Sequence, residues 1–104
     1  MGNAPPLSVR TPQFKKLFDE LPAKVQKSAI ARYRNYFAVD PFHDLLERHD
    51  LHDVSGAPSD SIAVTVAYGY RAVGFLDQAD GANRYVWYWC GSHADYDTQF
   101  RKGR

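Results

Sequence analysis

The chain has one cysteine, Cys90, in 104 residues, so an internal disulfide is excluded and nothing marks an oxidised, secreted scaffold. No apolar run approaches the roughly 20 residues that a membrane helix needs. The opening Met-Gly-Asn-Ala-Pro-Pro also lacks a signal-peptide core. The expected address is therefore the cytoplasm, with no membrane partner. Net charge is nearly absent too: 13 Lys+Arg against 12 Asp+Glu give +1, which alone selects no acidic ligand. There is no phosphate-binding glycine loop, no dinucleotide glycine fingerprint and no paired Cys-x-x-Cys. Nucleotide-binding and zinc-ribbon classes fall away, and no cofactor is expected.

What is present points to one folded domain over residues 1–104, with 1–6 as a flexible arm and 101–104 as a basic tail. The chain is 44% hydrophobic and 14% aromatic, too rich in buried-type residues for intrinsic disorder. Charge is also unevenly placed. Residues 1–38 hold Arg10, Lys15, Lys16, Lys24, Lys27, Arg32 and Arg34 against Asp19 and Glu20, a net +5. Residues 39–60 hold six acids and only Arg48, a net −5. A basic region beside an acidic one fits either a nucleic-acid footprint or a solvated helix face, and charge alone favours the latter.

Leu7 to Val9 alternate briefly, enough for a short first strand. Thr11-Pro12 reads as an N-cap followed by a proline at the first helical position. Phe14, Leu17, Phe18 and Leu21 then recur at helical spacing. Pro22 restarts the pattern, and Val25, Ala29, Ile30, Tyr33 and Phe37 form the stripe of a second helix that Asp40-Pro41 stops. From Ser61 the period becomes two. Ile62, Val64 and Val66 share one face, Tyr68-Gly69 makes a tight turn, and Tyr70 to Leu76 returns. Asp77 to Asn83 is a longer turn. Arg84 to Cys90 is bulky on both faces, with Trp87 and Trp89 expected on the same one, and His93 to Phe100 is a short helix capped by Ser92. The expected fold is α+β: a two-layer domain with an N-terminal strand and a helical hairpin packed on a small antiparallel sheet.

The densest chemistry follows the last strand, in Trp87-x-Trp89-Cys90-Gly91-Ser92-His93-Ala94-Asp95-Tyr96-Asp97. An imidazole, carboxylates and a phenol lie at a strand exit, and Arg71 is within reach on a neighbouring strand. His93 suits either acid–base work or a backbone hydrogen bond. Ser92, His93 and Asp95 are chain neighbours, which does not give triad geometry. Cys90 sits at the buried end of a strand and is not expected to be a nucleophile. His43, His49 and His52, with Asp50 and Asp53, match no closed zinc spacing; an acidic loop is expected there and no metal site.

Four stretches resemble the RelE/ParE superfamily of bacterial toxins from type II toxin–antitoxin pairs. They are Leu21-Pro22-x-x-Val25-Gln26, Asp40-Pro41-x-His43, Tyr70-Arg71-Ala72-Val73-Gly74, and the terminal run from Trp87 to Asp97. The resemblance spans about Phe14 to Phe100 and implies a small toxin neutralised by a cognate antitoxin. In the RelE-like branch it implies metal-independent cleavage of mRNA on the ribosome. Arg71 then matches the strand arginine that binds the scissile phosphate, His93 the terminal acid or base, and Tyr96 the terminal tyrosine. Glu47 is the implied base by position. Lys27, Arg34, Arg84 and Arg101 are the cations expected to contact RNA. This chain departs from many relatives in carrying Ala63, Thr65 and Ala67, and no cation, on the strand before the hairpin. That departure and the near-neutral charge favour the alternative of a ParE-like inhibitor that binds DNA gyrase, whereas the terminal His93 favours the mRNA endonuclease, which is the expected activity; a non-toxic partner-binding relative is a third reading.

Overall fold

A computed structural model describes residues 7–51, 57–78 and 83–100. The arm at 1–6, the tail with Arg101, residues 52–56 with His52 and Asp53, and the expected Asp80-Gly81 turn lie outside the described residues.

The chain opens with β1 (Leu7–Arg10), α1 (Pro12–Asp19) and α2 (Ala23–Arg32). Thr11 caps α1 as its spacing predicts, its hydroxyl accepting from the Phe14 amide at 3.1 Å. The hairpin joint is closed by Gln26, whose side-chain amide donates to the carbonyls of Phe18 at 3.1 Å and Leu21 at 3.0 Å. The Phe18 carbonyl is one of those at the end of α1 that have no partner within the helix.

The second helix ends differently from its expected single stripe. Residues Tyr33–Phe37 form a π-helical turn, with the Ala38 amide bonded to the Tyr33 carbonyl at 2.8 Å. The wider turn sets both aromatic rings on the sheet. Phe37 meets the edges of Tyr85 and Trp87 at 4.9 and 5.2 Å, and the Tyr33 hydroxyl donates to Ser8 at 2.9 Å.

A short 3₁₀ turn (Asp44–Leu46) leads into β2 (His49–Asp50), followed by β3 (Ser61–Ala67), β4 (Tyr70–Asp77), β5 (Arg84–Ser92) and α3 (His93–Gln99). The sheet order is β1-β5-β4-β3-β2. The β2–β3, β3–β4 and β4–β5 pairs are antiparallel, and β1 joins parallel to β5, so the sheet is mixed. His49-Asp50, expected in a loop, pairs instead with Ala63 and Ile62. At the β3–β4 turn Gly69 takes φ +79, a left-handed corner where a side chain would be strained.

Apolar residues fill both faces of the sheet. Phe14, Phe37, Leu46, Ile62, Val64, Ala72, Tyr85 and Trp87 pack under the helical hairpin. Leu51, Ala63, Val73, Trp89 and Phe100 pack on the opposite face. Trp87 and Trp89 are therefore on opposite faces, against expectation. The cause is a bulge: Val73 pairs with Trp89 while Gly74 pairs with Trp87, leaving Tyr88 as the extra residue that reverses the alternation. Gly74 makes room for the displaced indole, since a Cβ there would lie 2.7 Å from Trp87 Cε3 and 2.9 Å from the Val86 oxygen. Among the described residues no helix is long and apolar enough to cross a membrane.

Candidate active site

Arg71 is fixed by pairing on two sides. It lies opposite Gly91 of β5 and opposite Thr65 of β3. Its side chain emerges on the face that carries Val73 and Trp89, away from the helical hairpin. The guanidinium carbon sits 5.1 Å from the centroid of the Tyr96 ring. Nε and Nη1 are both buried with no hydrogen-bond partner. Removing a cation from water without giving its donors an acceptor is unfavourable, and native structures rarely leave such groups alone. What these donors lack is an acceptor.

On the β5 side, the start of α3 is tied to the β3–β4 turn by the His93 amide, which donates to the Gly69 carbonyl at 2.7 Å. The Ser92 hydroxyl caps the helix by accepting from the Asp95 amide at 3.2 Å. His93 thereby projects beside the Arg71 strand end, half exposed, with Nε2 3.2 Å from an Asp97 carboxylate oxygen one turn on. Tyr96, three residues after His93, presents its ring edge-on to the imidazole at 6.3 Å. It also packs on Trp89 and Phe100. Burial raises the Tyr96 phenol above its ordinary value; nearby Arg71 opposes this and Asp97 adds to it. The phenol is thus held in its neutral, hydrogen-donating form.

On the β3 side, Glu47 follows the 3₁₀ turn with left-handed backbone angles, φ 51 and ψ 49. Its carboxylate accepts a hydrogen bond from the Thr65 hydroxyl at 3.0 Å. Since Thr65 is the cross-strand neighbour of Arg71, the acid stands on one flank of the guanidinium, with His93 and Tyr96 on the other. Glu47, Arg71 and the His93–Tyr96 pair, from three separate parts of the sequence, thus gather at one end of the sheet.

The expected RNA-contacting cations do not gather there. Arg84 occupies the far end of the β4–β5 ladder, roughly 20 Å away at about 3.3 Å per residue, and pairs with Asp77 at 2.9 Å. Lys27 and Arg34 are exposed on the helical layer, behind the sheet. Arg34 lines a cavity of about 350 Å³ between that layer and the sheet, with Phe14, Phe37 and Trp87. Cys90 is buried, and burial pushes its thiol up to about 12, which removes it from nucleophilic chemistry at ordinary pH. Among the described residues no group of three or more His, Cys, Asp or Glu is placed to hold a metal ion.

Two neighbours of this face are missed by reading the sequence alone. Asp97 reads there only as an acidic residue near a helix start, yet its i,i+4 spacing from His93 is visible. Thr65 reads only as a missing cation, yet it is the one hydroxyl in the run Ile62-Ala63-Val64-Thr65-Val66-Ala67.

No family model and no curated protein sequence matches the chain. Solved structures do. A chain of the RelBE2 toxin–antitoxin complex from Mycobacterium tuberculosis superposes with a TM-score of 0.58 at 12% identity, covering 85% of this chain and 98% of that one. The YoeB/ParE toxin from Agrobacterium tumefaciens gives a TM-score of 0.61 at 17% identity, covering 84% of this chain and 98% of that one. At such identities the likeness carries the architecture alone, and the architecture of this chain is the α+β fold of the RelE/ParE-like toxins.

Proposed function

We propose that this chain is the toxin of a toxin–antitoxin pair and that it cuts mRNA on the ribosome. The observation that carries this reading is the Arg71 guanidinium, with two buried nitrogens lacking an acceptor, the Glu47 carboxylate bonded to its cross-strand neighbour Thr65, and the Tyr96 ring set against both it and the His93 imidazole. Breaking a ribose-phosphate link by internal transfer requires only three groups. Glu47 takes the proton from the 2′-hydroxyl as that oxygen attacks the adjacent phosphorus. Arg71 donates to the non-bridging oxygens as charge builds on them, where oriented donors in a water-poor site are most effective. His93, protonated, gives its proton to the departing 5′-oxygen. One P–O bond forms and one breaks, leaving a 2′,3′-cyclic phosphate and a 5′-hydroxyl. DNA, lacking the attacking hydroxyl, is not a substrate.

The partner in this reading is an antitoxin with an acidic, partly apolar segment. Val39, Phe42 and Leu45 stay exposed after the helical hairpin, which itself carries Lys15, Lys16, Lys24, Lys27 and Arg32 against the single acid Asp19. Binding DNA gyrase as a protein ligand is the second reading. It is favoured by the absence of any cation on β3 and by a net charge of only +1, since phosphate contacts dominate RNA affinity.

The test is cleavage of message on translating ribosomes by the wild-type protein, Arg71→Ala and His93→Ala, with free RNA as control and EDTA throughout. Cuts that need ribosomes and vanish in both variants are expected. Intact message at high protein would discard the nuclease and leave gyrase inhibition as the leading account.

A further inference from the structure

An acid and an unpartnered cation are neighbours on this face, and they do not pair. Arg71 presents Nε and Nη1 without acceptors, while the Glu47 carboxylate engages Thr65. Residues directly opposed across an antiparallel pair hold their Cβ atoms about 4.5–5.5 Å apart. Glu47 therefore reaches the residue beside Arg71 and stops there. Left to itself, a carboxylate this near would close on the guanidinium in a charge-assisted, two-point contact.

We infer, on the nuclease reading above, that Thr65 is a positioning residue whose hydroxyl holds the Glu47 carboxylate off Arg71, keeping the guanidinium unpaired for an RNA phosphate. Three features make the restraint effective. Thr65 is only 9% exposed and branched at Cβ, so its hydroxyl has few directions to take. Leu46, 2% exposed, anchors the turn just before Glu47. The left-handed backbone at Glu47, uncommon for a residue with a side chain, fixes how its carboxylate leaves the chain.

Thr65→Val preserves shape and burial and removes only the donor. Inorganic phosphate, read by the rise it gives in melting temperature, is the probe. Wild type and Thr65→Ser should respond alike, and Thr65→Val should bind phosphate about tenfold more weakly, the loss expected when one charge-assisted contact turns inward. The Thr65→Val, Glu47→Gln double variant should regain the response, because a neutral amide no longer neutralises Arg71. Cleavage on ribosomes should fall in Thr65→Val and return in Thr65→Ser. An equal phosphate response in wild type and Thr65→Val overturns the inference, and so does a double variant that stays weak. If phosphate behaves as expected while the wild type leaves message intact, the restraint stands and the nuclease reading falls. If wild type ignores phosphate, Arg71 is no anion site and both fall together.

Discussion

The β4–β5 ladder carries an arginine at each end. At the far end Arg84 meets Asp77 at 2.9 Å, with both side chains partly in water. At the near end Arg71 has two buried nitrogens and no acceptor, a tyrosine ring against its guanidinium carbon, and an acid kept one residue away. The two are alike in type and in strand context. They differ in what has been done about their charge: Arg84 is neutralised by its own chain, whereas Arg71 is partly desolvated and left without an acceptor. An arginine of the first kind is satisfied within the fold; one of the second kind, on the function proposed above, is held for a ligand.

The largest expected difference lies in activity. Arg71→Ala should lower the cleavage rate by about 10²–10³, the usual cost of removing one oriented donor from a charge-stabilising site. Arg84→Ala should stay within about threefold of wild type in the same ribosome assay, since no donor aimed at the reacting phosphate is lost. Equal losses in both would erase the distinction between the two ends.

Next is the bulge that sets the phase between them. Gly74→Ala forces a methyl against Trp87 and the Val86 carbonyl. It should destabilise the domain by about 1–3 kcal/mol, as overpacking in a filled core does, measured by urea unfolding.

Stability should also separate the arginines by sign. Arg84→Met removes a half-exposed ion pair and should lose at most about 1 kcal/mol. Arg71→Met removes buried donors that have no acceptor, and should leave stability unchanged or raise it by about 1 kcal/mol. An Arg71→Met protein that is more stable and inactive would show that the arginine is kept for a ligand, at the expense of the fold.

The smallest effect concerns Cys90, which packs behind the Arg71 strand end. Its thiol is raised from an ordinary 9.0 to about 12, mainly by burial and further by Glu20. The folded state therefore holds this proton more tightly than the unfolded chain. Its contribution is complete below about pH 9 and is lost as pH climbs towards 12. Alkylation of the native protein at about pH 8 should be negligible and should become rapid on unfolding, since only the thiolate reacts; fast native labelling would contradict a buried thiol.

Much of this fold is legible in the sequence because its signals are local. Thr11-Pro12 announces the first helix, the Phe14 to Leu21 spacing gives its buried side, and Tyr68-Gly69 gives the hairpin turn. The features that escape such a reading depend on contacts far apart in sequence. Alternation along Trp87 to Cys90 cannot reveal an extra residue, so the opposite facing of Trp87 and Trp89 is visible only once β4 is laid beside β5. The parallel joining of β1 to β5 unites residues at opposite ends of the chain, and His49-Asp50 becomes a strand only because β3 offers an edge. The site behaves in the same way. Arg71, His93 and Tyr96 stand out through the motifs that carry the family resemblance. Nothing in composition or spacing distinguishes Arg71 from Arg84, or reveals that Thr65 is the neighbour through which Glu47 reaches the site. Those distinctions come from strand register and burial.

The most direct test of the central claim is the chemistry of the RNA ends made on translating ribosomes in EDTA. The account predicts a 2′,3′-cyclic phosphate upstream of each cut and a 5′-hydroxyl downstream, lost with Arg71→Ala and retained with Arg84→Ala. Ends bearing a 5′-phosphate, or cuts that persist without Arg71, would contradict it.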